Sequence, residues 1–300
     1  TLDAKALADW LDCPALEARG RAYPGDIRYH ASTAGARPWD AAARALATLF
    51  DEETEGDVLI FMSGAYEIRR TIEAVQSRLG REECALFPLY SSLPARLQDE
   101  ALAPAGKRKV IVATNVAETS ITIEGIRHVI DSGLARVFRH DPRRGIDALL
   151  IENISRASAE QRAGRAGRTA AGTCTRLWSA SEQHARPART APEIQRLDLA
   201  DALLQLKSLR VDDIETFPWL DPPEAQAITR AIALLTDLGA LDAQGDLTLV
   251  GEQMAQLPCH PRLGRFLVAA SQRQTLTRAC TWAALIGERD VLNRPQHRRF

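Results

Sequence analysis

A mostly parallel α/β fold, followed by a helix-rich region of different composition, is predicted by three observations. Short apolar runs alternate with helically spaced segments over the first two-thirds of the chain. Those runs are apolar without interruption, the mark of strands covered on both faces. After Pro187 the strands stop and Leu- and Ala-rich helical patterns take over.

Asp57-Val-Leu-Ile-Phe-Met62 reads as the first strand. Ala65 to Leu79 follows as a helix, with Ile68, Ile72, Val75 and Leu79 at helical spacing. Cys84-Ala-Leu-Phe-Pro-Leu89 is a strand, Pro94 to Leu102 a short helix, Lys109-Val-Ile-Val-Ala-Thr114 a third strand and His128-Val-Ile-Asp131 a fourth. Ala135-Arg-Val-Phe-Arg-His140 and Asp147-Ala-Leu-Leu-Ile151 flank Asp141-Pro-Arg-Arg-Gly145, where Pro suits the second position of a turn and Gly its end. They predict a β-hairpin projecting from the α/β domain. Thr173 to Trp178 is the last strand.

Beyond Pro187, Thr190-Ala-Pro-Glu193 fits a capping box with an early Pro, ahead of a Leu197–Leu209 stripe. Asp221-Pro-Pro-Glu224 opens another helix in the same way. Its Ile228, Ile232, Leu235 and Leu238 share a face, and Gly239 lies just past its end. Leu241 to Leu249 reads as a two-stranded wing around Gln244-Gly245, which predicts a winged helix. Pro261 to Ile286 is helical and amphipathic, the expected start of a helical bundle. The expected domains are 1–187, 188–256 and 257–300.

With 45% apolar and 26% charged residues, the chain is neither disordered nor of low complexity. A net charge of −1 excludes holding nucleic acid by bulk charge, though not by a local basic patch. The five cysteines form no CxxC and no Cys/His cluster, so no metal site is expected, and they read as small apolar groups in a reducing cytoplasm. No apolar run reaches the ~20 residues of a membrane span. Thr1-Leu-Asp-Ala has neither an initiator Met nor a signal-peptide charge pattern, and is expected to be a cut into a longer chain.

The strongest chemical signal is Ser155-Arg-Ala-Ser-Ala-Glu-Gln-Arg-Ala-Gly-Arg-Ala-Gly-Arg168. Arg136 to Arg168 holds eight arginines, four acids and no lysine. Arg grips phosphate oxygens in pairs, whereas Lys is a flexible point charge. If Ser158 caps a helix running through Arg168, then at ~100° per residue Gln161, Arg165 and Arg168 share one face and Arg162 points elsewhere. Gly164 and Gly167 each cost ~1 kcal/mol relative to Ala inside a helix, which makes sense where another backbone or a ligand comes close. Spacing alone leaves two readings open, a solvated charged face and a phosphate clamp.

Gln161-Arg-Ala-Gly-Arg-Ala-Gly-Arg168 resembles motif VI of superfamily 2 helicases in its DEAH-box form. Ala113-Thr-Asn-Val-Ala-Glu-Thr-Ser-Ile-Thr-Ile-Glu-Gly125 resembles motif V and Leu59-Ile-Phe-Met-Ser-Gly64 motif IV. Pro88-Leu-Tyr-Ser-Ser-Leu-Pro94, Pro192-Glu-Ile-Gln-Arg196 and Trp219-Leu-Asp-Pro-Pro223 extend the likeness. Asp131-Ser-Gly-Leu-Ala-Arg136 and Arg176-Leu-Trp-Ser179 resemble the bacterial HrpB-type branch. The resemblance implies a second RecA-like lobe, then a winged helix and the start of a bundle. The chain would begin at the end of motif III, and the lobe carrying most of the site for ATP and Mg²⁺ would precede it.

By the same resemblance, Arg165 and Arg168 are arginine fingers on the γ-phosphate and Gln161 approaches that group. Thr122 and Glu124 lie near the nucleotide ribose, and Leu102 takes the place of the family's adenine-stacking aromatic, a departure that leaves no stacking contact to expect there. Ser63, Gly64, Thr114, Asn115 and Ser120 hold a single strand of RNA or DNA through phosphate and sugar, without reading sequence. Arg143 and Arg144, near the hairpin tip, belong to a strand-separating element. Trp219 and the Leu197–Leu209 stripe read as core. The expected activity is ATP-dependent helicase action by the full-length protein, and the 300 residues alone are expected to be inactive. The rival expectation is a non-catalytic nucleic-acid-binding or regulatory module.

Overall fold

The computed structural model describes residues 4–16, 23, 25–31, 35–52, 54–80, 82–119, 123–141, 145–166, 170–211 and 213–287. Two compact units are present: residues up to Arg139 with Ala148–Ala191, and His140–Asp147 with the residues from Pro192 onward.

The first unit opens with α1 (Ala4–Leu11), β1 (Gly25–Tyr29) and α2 (Pro38–Asp51). β2 (Asp57–Phe61), α3 (Ala65–Leu79), β3 (Ala85–Leu89), α4 (Ala95–Leu102), β4 (Lys109–Ala113), α5 (Val116–Thr119) and β5 (Ile126–Asp131) follow. Then come the hairpin strands β6 (Leu134–Asp141) and β7 (Ile146–Asn153), α6 (Arg156–Ala163), β8 (Gly172–Arg176) and α7 (Ala180–Ala185). Six strands form one sheet in the order β1-β8-β5-β2-β4-β3, and β6 and β7 form a separate two-stranded sheet. Every pairing in the large sheet is parallel, so all six carboxyl ends share one edge.

The uninterrupted apolar runs are explained by a core on each face. Val58, Ile60, Val110 and Val112 pack with α2 and α3 on one side. Leu59, Phe61, Ile111 and Ala113 pack with α4 and α5 on the other. The expected strands and the hairpin form within a residue or two of their predicted limits. β1 and α2 were not anticipated. All five residues of β1 are exposed, so no apolar run announces it. α2 buries mainly alanines (Ala41, Ala42, Ala43 and Ala45 beside Leu46 and Leu49), with Pro38 in its first turn.

On β5 the ring of His128 is buried, with Nδ1 2.8 Å from Thr173 Oγ1 and Nε2 2.9 Å from the Glu55 carbonyl. Burial holds its pKa below that of an ordinary histidine. The folded state therefore favours the neutral ring. The resulting stabilisation is complete above the unfolded pKa of about 6.5 and is lost as pH falls from there through the folded value. The melting temperature of this unit is expected to drop between about pH 7 and pH 5, and His128→Asn to flatten that slope. An unchanged slope in the variant would show that another group controls it.

In the second unit a 3₁₀ turn (Glu193–Gln195) precedes α8 (Ala200–Ser208), α9 (Ala225–Asp237), α10 (Leu249–Ala255), α11 (Pro261–Gln272) and α12 (Leu276–Gly287). The expected capping box at Thr190–Glu193 yields only the 3₁₀ turn. The first helix begins later, where Asp198 Oδ1 accepts the Ala200 N–H at 2.6 Å. Leu241 and Leu247 form an antiparallel bridge. Asp242 Oδ1 tightens that wing by accepting the N–H groups of Gln244 and Asp246, each at 2.9 Å. Leu203, Leu204, Ile228, Leu235, Met254 and Val268 share one core, and Trp219 packs against it as expected. The long helix expected over 261–286 breaks at Arg273–Thr275, where Gln274 adopts φ +57°.

Candidate functional site

The carboxyl edge of a parallel sheet is where open α/β folds bind ligands. Four predicted residues meet there on neighbouring strands. Ser63 and Gly64 follow β2, with Ser63 buried and Gly64 capping α3. Thr114 and Asn115 follow β4, with Thr114 half-buried and Asn115 exposed. Backbone bonds prolong the ladder along this edge: Met62 N–H donates to the Ala113 carbonyl at 2.8 Å and Thr114 N–H to that of Leu89 at 3.1 Å. At Gly64 a Cβ would come within 2.7 Å of Arg136 Nε. The missing side chain makes room for that arginine, which pairs with Glu67 at 3.5 Å. Arg136 was not among the predicted site residues, although the segment ending in it was part of the resemblance.

The arginine segment departs from the expected single ridge. α6 starts at Arg156, capped by Ser155, whose Oγ accepts the Ser158 N–H at 3.2 Å. It stops at Ala163, and Gly164 to Ala166 form a turn. Ser158 is therefore not the cap, and the helix does not continue through Arg165. Gly164 is exposed at the end of the helix and serves as its terminator, not as a close-approach site. A glycine costs ~1 kcal/mol inside a helix, and here it falls where the helix ends. Gln161, half-buried, lies in the last turn of α6, and Arg165 lies in the turn after it.

Arg162, expected to point elsewhere, is the centre of this region. It is 0% exposed. Its Nη1 donates to Asp131 Oδ1 at 2.8 Å, its Nε to Glu118 Oε2 at 3.0 Å, and it stacks 4.7 Å from the centre of the Phe61 ring. Burial opposes its charge, but Asp131 and Glu118 outweigh that penalty and hold its pKa above the usual guanidinium value.

Arg165 is 5% exposed and donates through Nε (2.9 Å) and Nη2 to the carbonyl of Glu118. Ser158 Oγ donates to Glu118 Oε1 at 2.7 Å. Glu118 was not predicted as a site residue. Its only sequence signal was its place between Asn115 and Ser120 in the motif V segment.

Glu124 is exposed on the turn entering β5, at the amino edge of the sheet, away from Thr114 and Asn115. Leu102, at the end of α4, is half-buried against the core formed with α4 and α5. Ser120, Thr122, Arg143, Arg144 and Arg168 lie outside the described residues. Among the described residues no His, Cys, Asp and Glu cluster could hold a metal ion, and no helix is long and apolar enough to cross a membrane.

Residues 41–170 match the helicase conserved C-terminal domain, and residues 231–259 match the winged-helix helicase associated domain (HA2). The chain is 38% identical, over 96% of its length, to an ATP-dependent RNA helicase HrpA homolog of Haemophilus influenzae and to the ATP-dependent RNA helicase HrpA of Escherichia coli. It spans 23% and 24% of the length of these two relatives. The crystal structure of the E. coli DExH-box NTPase HrpB superposes with a TM-score of 0.89 at 39% identity, covering 96% of this chain and 36% of that one. A second structure, of the E. coli DEAH/RHA helicase HrpB, gives 0.90 at 38% identity, covering 98% and 37%.

Proposed function

This chain belongs to the DEAH-box helicases, HrpB-like in kind, and we propose that it forms the part of an ATP-driven RNA helicase that completes the ATP site and grips the strand. In this reading Arg165, Arg168 and Gln161 face the γ-phosphate of ATP held on a companion lobe. Charge spreading over that phosphoryl group in the transition state rewards a placed guanidinium. The donor set suits an anion: Arg165 is a planar fork of donors held in place by the Glu118 carbonyl. ATP with Mg²⁺, when bound, supplies the phosphoryl group and neutralises its oxygens. Thr122 and Glu124 are assigned to the ribose side.

Ser63, Gly64, Thr114, Asn115 and Ser120 are assigned to the phosphates and sugars of one strand along the carboxyl edge. Arg143 and Arg144 are assigned to the tip of the separating hairpin. We also retain 1–187, 188–256 and 257–300 as functional divisions, and the cytoplasm as the site of action.

The observation that carries this reading is the junction at Glu118, where the segment like motif V and the segment like motif VI are bonded to each other. The full-length gene product should hydrolyse ATP with Mg²⁺, faster with a single-stranded RNA oligonucleotide, whereas these 300 residues alone should not turn over. Absence of ATP hydrolysis by the full-length product with RNA present would favour the non-catalytic binding module instead. Stimulation by DNA alone would reassign the strand.

A further inference from the structure

We infer that Glu118 is a positioning residue that locks the strand-binding turn to Arg165, so that a seated strand and a placed guanidinium depend on each other. The inference rests on the helicase reading above and extends it to a residue outside the predicted site. Glu118 is bonded in three directions. Its N–H donates to the carbonyl of Asn115 at 2.9 Å, inside the turn assigned to the strand. Its carboxylate accepts from Ser158 Oγ at 2.7 Å and from Arg162 Nε at 3.0 Å, which fastens α5 against α6. Its carbonyl accepts from Arg165 Nε at 2.9 Å, and from Nη2 of the same side chain.

α5 spans only Val116–Thr119, too short to hold its own place. The carboxylate therefore sets where the Glu118 carbonyl stands, and that carbonyl in turn sets where Arg165 stands. Arg162 is fixed independently by Asp131, so the anchor on the α6 side is rigid. A displacement of Asn115 on seating a strand is passed to Arg165 through the backbone of one residue, Glu118, and one side chain. The role is positional: Glu118 acts through Asn115 on one side and Arg165 on the other.

The test uses the full-length gene product and compares ATP turnover with and without single-stranded RNA in three variants. Glu118→Ala removes both carboxylate bonds. Glu118→Gln keeps them, since its amide oxygen accepts from Arg162 and its NH₂ donates to Ser158 Oγ. Ser158→Ala removes one bond and leaves the charge in place.

A catalytic group misplaced by ~1 Å loses on the order of 10²-fold in rate. RNA-stimulated kcat should therefore fall by about tenfold or more in Glu118→Ala, and RNA-free turnover, which also uses Arg165, should fall by a smaller factor, so that the stimulation ratio drops. Glu118→Gln should recover most of the stimulation, and Ser158→Ala should lie between the two. A merely structural role lowers stimulated and basal rates by the same factor, and that result overturns the inference. So does an Ala variant that melts normally and is stimulated normally. Should Glu118→Ala fail to fold, the stimulation ratio of Ser158→Ala decides: reduced supports the inference, unchanged refutes it. Wild-type protein without any RNA-stimulated turnover would instead refute the helicase reading itself.

Discussion

Arg165→Ala in the full-length gene product is expected to lower ATP turnover by ~10³-fold or more, the scale of a lost arginine finger. The protein should still fold. The substitution deletes a 5% exposed side chain and leaves the Glu118 carbonyl without two donors. Even a fully buried acceptor left unsatisfied costs only about 1–3 kcal/mol, and this one is part-buried, so the loss is less than the whole stability of a domain. Arg165→Lys keeps the charge but loses the fork that binds one carbonyl and presents charge beyond it, so it should also be severely impaired. Steady-state hydrolysis with saturating single-stranded RNA, alongside a thermal melt by circular dichroism, separates the two effects. Near-normal hydrolysis in the Ala variant would remove Arg165 from the ATP site.

Arg162→Met is expected to give the largest loss of stability. Arg162 and Asp131 are both fully buried, with the pair closed at 2.8 Å. Removing the arginine strands Asp131 as an uncompensated buried charge, which costs about 3–5 kcal/mol. For a unit of this size that lowers the melting temperature by roughly 10 °C. Asp131→Asn combined with Arg162→Met should be milder than Arg162→Met alone, because the fully buried carboxylate is then neutral and the remaining one, on the partly exposed Glu118, keeps its bond from Ser158. A double variant as unstable as the sum of the singles would show that the two residues act separately. The expected coupling is a stability effect, readable without nucleotide or RNA.

The sheet strands visible in the sequence were those whose side chains face a core on both sides, whereas α2 reached the core mainly through alanines, which carry little apolar signal. β2 and β4 announce themselves because both faces of each are covered. β1 lies at the sheet edge with Asp26 and Arg28 flanking Ile27, and nothing in that composition separates it from a loop. The hairpin was legible from its turn chemistry, and the wing from Gln244-Gly245 between two apolar flanks.

The candidate site was legible as a set of segments but not as a geometry. Helical spacing placed Gln161, Arg165 and Arg168 on one ridge, yet the helix ends at Ala163, Arg165 follows in a turn, and Arg168 lies outside the described residues. Local spacing also could not tell which arginine of the segment would be buried. The partners of Arg162 lie 31 and 44 residues away in sequence, at Asp131 and Glu118, and only the folded sheet brings them together. A charge-rich helix reads as solvated until its distant carboxylates are known.

The register between β1 and β8 sets Gly25 beside Gly172 and Tyr29 beside Arg176. The first-made strand of the sheet thus waits for the last-made one, with the hairpin and the arginine segment emerging in between. On the ribosome, the nascent chain must expose the end of β8 before β1 gains a neighbour. Pairing at such separation is slow, and it leaves unpaired strand edges open to wrong partners meanwhile. Chaperone demand during translation should therefore peak before Arg176 leaves the exit tunnel and fall once it has.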